Sequence, residues 1–378
     1  MTSVAIVGGR LQGTEAAYLA KKAGMRSLMV DKDPKAPAFG LSDEKAVFDV
    51  VKKEKQLVDF LTKADFILPA LENDGAHAAL MDIAAEHGLK MAFDAKAYSV
   101  TSSKLKTDLL MKEHQMPAPR YFPECRGPYI VKPSGESGSD GVFRVETAWD
   151  ARRFLAAVSD PENWVVQEFL AGPSYSIEVI GSPGMYRTYE ITQIHMDESY
   201  DCKMVTVPCR LSVPVRKEFS GIAMTLAGLV GLSGIMDVEV IDHDGVLKVL
   251  EIDARIPSQT PIAVYKSTGI NLLSELADVT LTGGFAKAKP KQRKFAAVEH
   301  YLVDDAGVHW KGEHIMGEGG TLLHRECFFG ADEAITDYEE GCARWRGMFI
   351  NSGETEAELA DKRKTMLHML AGGERAGL

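Results

Sequence analysis

"GIMDVEVIDHDGVLKVLEIDARIPSQTP", residues 234–261, decides how the rest of the chain is read. Two apolar runs flank Asp-His-Asp-Gly, a composition suited to the tight turn of a β-hairpin. With the loop centred near Gly245, Glu239 falls opposite Glu251. Side chains alternate along a strand, so Asp237 and Glu239 share one face while Glu251, Asp253 and Arg255 form the facing row. The remaining positions, Val238, Val240, Val249, Leu250 and Ile252, are apolar enough to bury the other face.

Four carboxylates on one patch raise one another's pKa unless a cation stands among them. A hard cation meets that demand: Mg²⁺ takes one or two carboxylates and completes its shell with water and substrate phosphate oxygens. Glu239, Glu251 and Asp253 are therefore the candidate metal ligands, against the plainer reading of a solvated acidic sheet face. No His/Cys cluster points to zinc.

A second signal lies upstream in "YIVKPSGESGSDGV", residues 129–142. Lys132 ends an apolar strand and leads into Ser134, Gly135, Glu136, Ser137, Gly138 and Ser139, a loop whose glycines let backbone amides approach an anion. The spacing is not that of a P-loop. A third, weaker signal is "WVVQEFLAG" at 164–172, where Gln167, Glu168, Phe169 and Leu170 can offer backbone donors and acceptors, with apolar cover, to a purine edge.

The wider composition narrows the partners. A net charge of −11 over 378 residues opposes binding to a nucleic-acid backbone, which requires a cationic face to release counterions. No apolar run reaches the length of a membrane span or signal peptide, so no membrane partner and a cytoplasmic location are expected. Five scattered cysteines without a CxxC argue against a disulfide framework. Small molecules remain as ligands.

Strand and helix signals alternate from Val4 to about residue 94, the pattern of parallel βαβ units. The opening "VAIVGGRLQGTEAAYLAKKAGM" at 4–25 looks at first like a dinucleotide fingerprint. That fingerprint needs a middle glycine where the backbone meets the pyrophosphate, and Arg10 stands there instead. A helix near 104–115, strands at 129–133, 142–145 and 164–170, and a mostly stranded block from 174 to 260 with a helix near 217–231 follow. "AKAKPKQRK" at 286–294 reads as a linker, and an amphipathic helix is expected from about 354 to 370. The expected class is α/β and α+β, with three units at 1–97, 98–170 and 171–378.

The order and spacing of these motifs resemble the ATP-grasp superfamily. The resemblance implies an ATP-grasp fold behind a Rossmann-like N-terminal domain, a phosphate lysine at Lys104 beside Lys132, an adenine hinge at Gln167–Leu170, and a metal motif in "LEIDAR" with Asp253 where asparagine is usual. Ser103 before Lys104 and Ser174 after the hinge depart from the pattern, which leaves the ribose contact open. Within the superfamily, "GGRLQGTEAAYLAKKAGM", "YDCKMVT", "GIMDVEVI" and "EIDARIPSQTPIAVYKSTGINLL" are similar to the ligases of pyrrolysine biosynthesis.

What this likeness implies is ATP- and Mg²⁺-dependent amide formation. The carboxylate of 3-methyl-D-ornithine, or of D-ornithine as a stand-in, becomes an acyl phosphate that the ε-amine of L-lysine attacks. Arg255 and Lys132 would be catalytic, and Arg10, Leu11, Glu72, Ser176, Glu178, Asp237, Arg255 and Ser258 would bind substrate. The loop "HMDESYDCKM", with His195, Asp197, Tyr200 and Asp201, would border the substrate cleft. The resemblance leaves room for a homodimer. The alternatives are another ATP-grasp amino-acid ligase or a bicarbonate-activating carboxylase.

Overall fold

In the computed structural model, which describes residues 1–135, 141–286, 290 and 292–372, the first strands are buried on both faces. Strands β1 (Ser3–Val7), β2 (Arg26–Asp31), β3 (Glu44–Val47), β4 (Phe66–Pro69) and β5 (Lys90–Met91) form a parallel sheet in the order β3-β2-β1-β4-β5. Alternation sends Ala5, Val7 and Ile67 toward helices α2 (Lys55–Leu61) and α3 (Asp74–His87). Val4, Ile6 and Leu68 point the other way, toward α1 (Leu11–Ala23) and Leu272, Leu273 and Leu276 from far along the chain. One core therefore joins the N-terminal sheet to the body of the protein.

The strand order reverses between β1 and β4, the place where an open parallel sheet leaves a crevice at its carboxyl ends. A cavity of about 820 Å³ opens there, lined by Gly8–Gln12, Asp31, Leu71, Glu72 and His314 among others.

Helices α4 (Ala95–Thr101) and α5 (Lys104–Glu113) lead to a three-stranded antiparallel sheet, β6 (Tyr129–Pro133), β7 (Phe143–Val145) and β8 (Trp164–Glu168), backed by α6 (Ala148–Ala157). The large sheet follows. It comprises β9 (Ser174–Ser182), β10 (Met185–Thr188), β11 (Thr192–Met196), β12 (Cys202–Val207), β13 (Gly234–His243), β14 (Val246–Asp253), β15 (Phe295–Asp304), β16 (Gly307–Lys311), β17 (Leu323–Glu326), β18 (Glu333–Thr336) and β19 (Trp345–Gly353). Its main path runs β14-β13-β9-β11-β12-β15-β19-β18-β17. Helices α7 (Val213–Val230), α8 (Thr260–Thr268), α9 (Leu272–Thr282) and α10 (Glu356–Leu370) complete the chain. No described helix is long and apolar enough to cross a membrane.

The hairpin of β13 and β14 forms where the sequence places it, but by a different route. Its turn holds only Asp244 and Gly245, since His243 pairs with Val246. Continued regularly, that register would set Glu239 against Leu250 and turn Glu251 to the apolar face. A β-bulge between Glu239 and Val240 on one strand takes up Leu250, restoring Glu239 opposite Glu251 and Asp237 opposite Asp253. One extra residue thus moves two acids to the polar side. On the other face Val238, Val240, Val249 and Ile252 pack with Phe219, Ala223 and Leu226 of α7.

Other differences have local causes. Helix α7 starts at Val213, four residues ahead of expectation, because Pro214 is suited to a helix's first turn. Strand β3 carries an alternating Glu-Lys-Ala-Val edge whose apolar content is too low to stand out in sequence. The expected linker 286–294 lies partly outside the described residues.

The segment that follows β8 leans on the tip of this hairpin. Asp242 N donates to Pro173 O at 3.0 Å, and a Cβ on Gly172 (φ +149°) would stand 1.9 Å from Asp242 O. Gly245 also has positive φ, +81°, but open space around it. Gly172→Ala is therefore expected to cost about 2–4 kcal/mol and Gly245→Ala about 1 kcal/mol. Thermal unfolding of both variants beside the unmodified protein checks the order.

Candidate active site

The polar face of three adjacent strands forms the floor of a cleft. Ser176 and Glu178 of β9 stand opposite Glu239 and Asp237 of β13, which in turn face Glu251 and Asp253 of β14. A cavity of about 100 Å³ lies over the β13–β14 part of this floor, walled by Tyr200, Cys202, Gln259 and Glu313 as well as Asp237, Glu239, Glu251 and Asp253; Ser176 and Glu178 lie beneath its edge without lining it.

Three cations enter from three directions. Arg255, just past β14, reaches Glu72 of the N-terminal unit at 2.9 Å, Asp253 at 3.0 Å and Asp237 at 3.5 Å. Lys104, at the start of α5, pairs with Glu251 at 2.8 Å. Lys132, 4% exposed, points its Nζ at the carbonyl of the bulge residue Leu250, 3.5 Å away. The bulge thus presents both an acid and a carbonyl to the small sheet.

The charge states follow from burial. Burial raises the Asp237, Glu239 and Asp253 carboxyls above the usual range, and neighbouring acids add to the effect. At Glu251 burial acts in the same direction but the Lys104 and Lys132 charges outweigh it and hold the group low. Lys132 is itself lowered by burial, with Glu251 pulling the other way. Glu178 is fully buried, which pushes its carboxyl up to about 8.

Ser174 Oγ and Ser176 Oγ make no hydrogen bond, and the buried Glu178 carboxylate has only the neighbouring Thr260 hydroxyl and its own backbone to oppose its desolvation. Buried polar groups are normally satisfied, so this corner of the floor is polar beyond what packing requires. Among the described residues no three His, Cys, Asp or Glu side chains form a metal-ligating group by themselves. The facing pair Glu239 and Glu251 nonetheless suits Mg²⁺, whose other ligands are water and phosphate oxygens.

The other expected site residues divide. Arg10, Leu11 and Glu72 line the larger cavity, and Glu72 Oε1 also accepts from Gln12 Nε2 at 2.7 Å. Gln167 is buried in β8, and Leu170 is buried beyond it. The Glu168 side chain is committed to Lys248 and to Arg120 N (2.9 Å), and Phe169 lies under the Arg144 guanidinium. Ser134 Oγ accepts from Leu105 N at 3.2 Å, so it ties the loop to the start of α5. Gly135 is exposed; Glu136, Ser137, Gly138 and Ser139 lie outside the described residues. Ser258 donates to Glu313 at 2.7 Å. Tyr200 and Asp201 line the small cavity, but His195 does not: Ile194 and Met196 face inward, so His195 turns to the other side of β11 and bonds Thr206 at 2.9 Å. Thr260, Gln259, Cys202 and Glu313 were not anticipated, because each arrives through tertiary packing without a local motif.

Comparison with known proteins agrees with this geometry. Residues 101–259 match the ATP-grasp domain family. The chain is similar in structure to the L-amino acid ligase of Bacillus licheniformis (TM-score 0.68, 16% identity, 97% of each chain). It is also similar to the biotin carboxylase domain of the 2-oxoglutarate carboxylase of Hydrogenobacter thermophilus, solved with MgADP, ADP and bicarbonate (TM-score 0.72, 12% identity, 96% of this chain and 89% of that one). At these identities the likeness shows the fold alone. Fold and match together define the class, an ATP-grasp enzyme; ATP-grasp ligases use ATP and Mg²⁺.

The 3-methyl-D-ornithine–L-lysine ligase of Methanosarcina barkeri is 37% identical over 321 residues, 84% of this chain and 85% of that protein. The chain belongs to the 3-methyl-D-ornithine–L-lysine ligase family.

The buried Glu178 gives a proton-linked prediction. Burial pushes its carboxyl up to about 8, so an ammonium group brought against it would favour its ionised form and displace a proton at pH 7. Calorimetric titration of D-ornithine and L-lysine in buffers of different ionisation enthalpy is expected to show release of up to about one proton at pH 7. The release should shrink as pH rises through about 8 and be smaller in Glu178→Gln, with the remainder coming from the raised Glu239 and Asp237.

Proposed function

We propose that this chain joins 3-methyl-D-ornithine to the ε-amine of L-lysine in pyrrolysine biosynthesis, with the converging acids and cations of β13, β14 and their neighbours as its reaction centre. ATP transfers its γ-phosphoryl group to the substrate carboxylate, giving an acyl phosphate and ADP. The lysine amine attacks the acyl carbon, the C–O bond to phosphate breaks, the amine gives up its proton, and 3-methylornithyl-lysine and phosphate leave. The observation that carries the reading is the buried acidic floor with Arg255, Lys104 and Lys132 aimed into it.

A carboxylate is a weak nucleophile and the phosphoryl oxygens are highly charged, so positioning and charge neutralisation must supply the catalysis. On this reading Lys104 and Lys132 meet phosphate oxygens. Glu239, Glu251 and Asp253 would hold one or two Mg²⁺ ions, which when bound neutralise the β- and γ-phosphate oxygens. Arg255 stabilises the acyl phosphate and the oxyanion formed as the amine adds. Gln167–Leu170 meet the adenine, and Ser134 and Gly135 face the phosphates.

A diamino acid carries cationic ends that need acids. Glu178, Asp237 and Glu72 are assigned to them, Ser176 and Ser258 to the polar groups beside them, and Arg10 and Leu11 to the N-terminal side of the cleft. The same reading divides the chain at 1–97, 98–170 and 171–378 and takes the cytoplasm as its compartment.

The test is direct. Purified protein with ATP, Mg²⁺, L-lysine and D-ornithine should release ADP and yield a product of ornithine plus lysine minus water, seen by mass spectrometry and absent without ATP. Arg255→Ala should lower its rate by about two orders of magnitude, the loss typical of one transition-state stabiliser. Glu251→Gln should abolish ADP release. ADP release driven by bicarbonate, with no condensed product, would refute the reading.

A further inference from the structure

Helix α8 begins five residues after Arg255, and its N-cap residue, Gln259, makes no capping bond with its own side chain. The cap comes from the N-terminal unit. Glu15 on α1 accepts from Gln259 N through Oε2 at 2.9 Å and from Ile262 N through Oε1 at 2.6 Å. Glu15 is 1% exposed; burial raises its carboxyl well above the usual range, and the two backbone N–H groups counter that shift. A buried carboxylate is costly, and here two backbone N–H donors of the α8 start offset that cost, so Glu15 and the helix end depend on one another.

What Glu15 holds is an unusual piece of backbone. Gln259 has φ +66°, a sparsely populated conformation for a non-glycine residue that costs of order 1–3 kcal/mol and persists only where its surroundings fix it. Its side chain meets Cys202 Sγ at 3.4 Å, and the preceding Ser258 bonds Glu313. This strained turn joins Arg255 to α8. The docking of α1 has other anchors: Asn271 Nδ2 donates to Leu19 O at 2.8 Å, and Tyr18 meets Tyr265 edge to face. Loss of Glu15 would leave α1 in place and free the turn.

We propose that Glu15 is a positioning residue for the ligation, a carboxylate that caps α8 from the N-terminal unit and so fixes the turn carrying Arg255 and Ser258 relative to Arg10 and Leu11 on the same α1 end. The proposal rests on the role assigned above to Arg255. Displacing a transition-state group by about 1 Å costs on the order of a hundredfold in rate, which sets the scale of the effect.

The test uses Glu15→Ala, which removes both acceptors, and Glu15→Gln, which keeps the volume and one acceptor and decides the matter should the alanine variant fail to fold. Glu15→Gln is expected to bind ADP within about twofold of the unmodified protein. Its kcat for condensation should fall about tenfold to a hundredfold, with a raised KM for the amino acids. Combined with Ser258→Ala, its effect should be smaller than the product of the two single effects, since both act on one turn. A lowered melting temperature with kcat and KM unchanged well below the melt would overturn the proposal, as would fully multiplicative effects in the double variant. Failure of the Arg255 assignment would show separately, as Arg255→Ala retaining full kcat. Failure of the Glu15 proposal alone would show as Glu15→Gln retaining kcat and KM where Arg255→Ala has lost them.

Discussion

The structure turns on the cost of crowding acids on one buried sheet face. Opposed strand residues lie about 5 Å apart, where two like charges repel by about 3 kcal/mol at an effective dielectric of about 20. Asp237, Glu239, Glu251 and Asp253 form two such pairs side by side. The repulsion is offset in two ways: burial raises these carboxyls above their usual range and so favours their neutral forms, and cations arrive from elsewhere. Because Lys104 and Lys132 belong to α5 and β6, the electrostatic demand of the large sheet fixes where the small sheet sits. The strands' apolar side, packed on α7, prevents the acids from escaping by a change of register.

Arg255 is the node of the arrangement. It is shared by Asp253 and Asp237 on the floor and by Glu72 across the cleft, so the N-terminal unit is coupled to the reaction centre by charge as well as by the common apolar core. Glu15 adds a second tie a few residues further on. A substrate placed between the units therefore meets groups from both, and small displacements of α1 reach Arg255 through a covalently short path.

The hairpin and its acids were legible in the sequence because period-two alternation and a turn signal are local. The bulge that aligns them was not: the sequence supports Glu239 opposite Glu251 only if the turn centres on Gly245, and the real turn, Asp244–Gly245, demands an extra residue that no pattern marks. His195 fails for a related reason, since its loop borders the cleft but strand parity sends its own side chain to the opposite face. Glu15 and Glu313 were invisible because their partners lie 244 and 55 residues away, and neither sits in a recognisable motif. Lys104 was found only through family likeness, since a lysine at a helix start carries no signal by itself.

The fold cannot choose the substrate, for the same architecture serves an L-amino acid ligase and a carboxylase domain solved with bicarbonate. The chemistry of the floor can. Glu178 is wholly buried opposite Asp237 and two residues from Ser176, with burial pushing its carboxyl up to about 8. Bicarbonate or another small anion arriving there would meet acids that burial already makes reluctant to ionise, and would gain nothing from them. A cationic amine would instead lower the cost of ionising Glu178 and, on the proposed reading, leave Arg255 to the carboxylate being activated. The proposed division of labour, acids for the amines and Arg255 with the lysines for the acyl phosphate, accords with the charges of these buried groups.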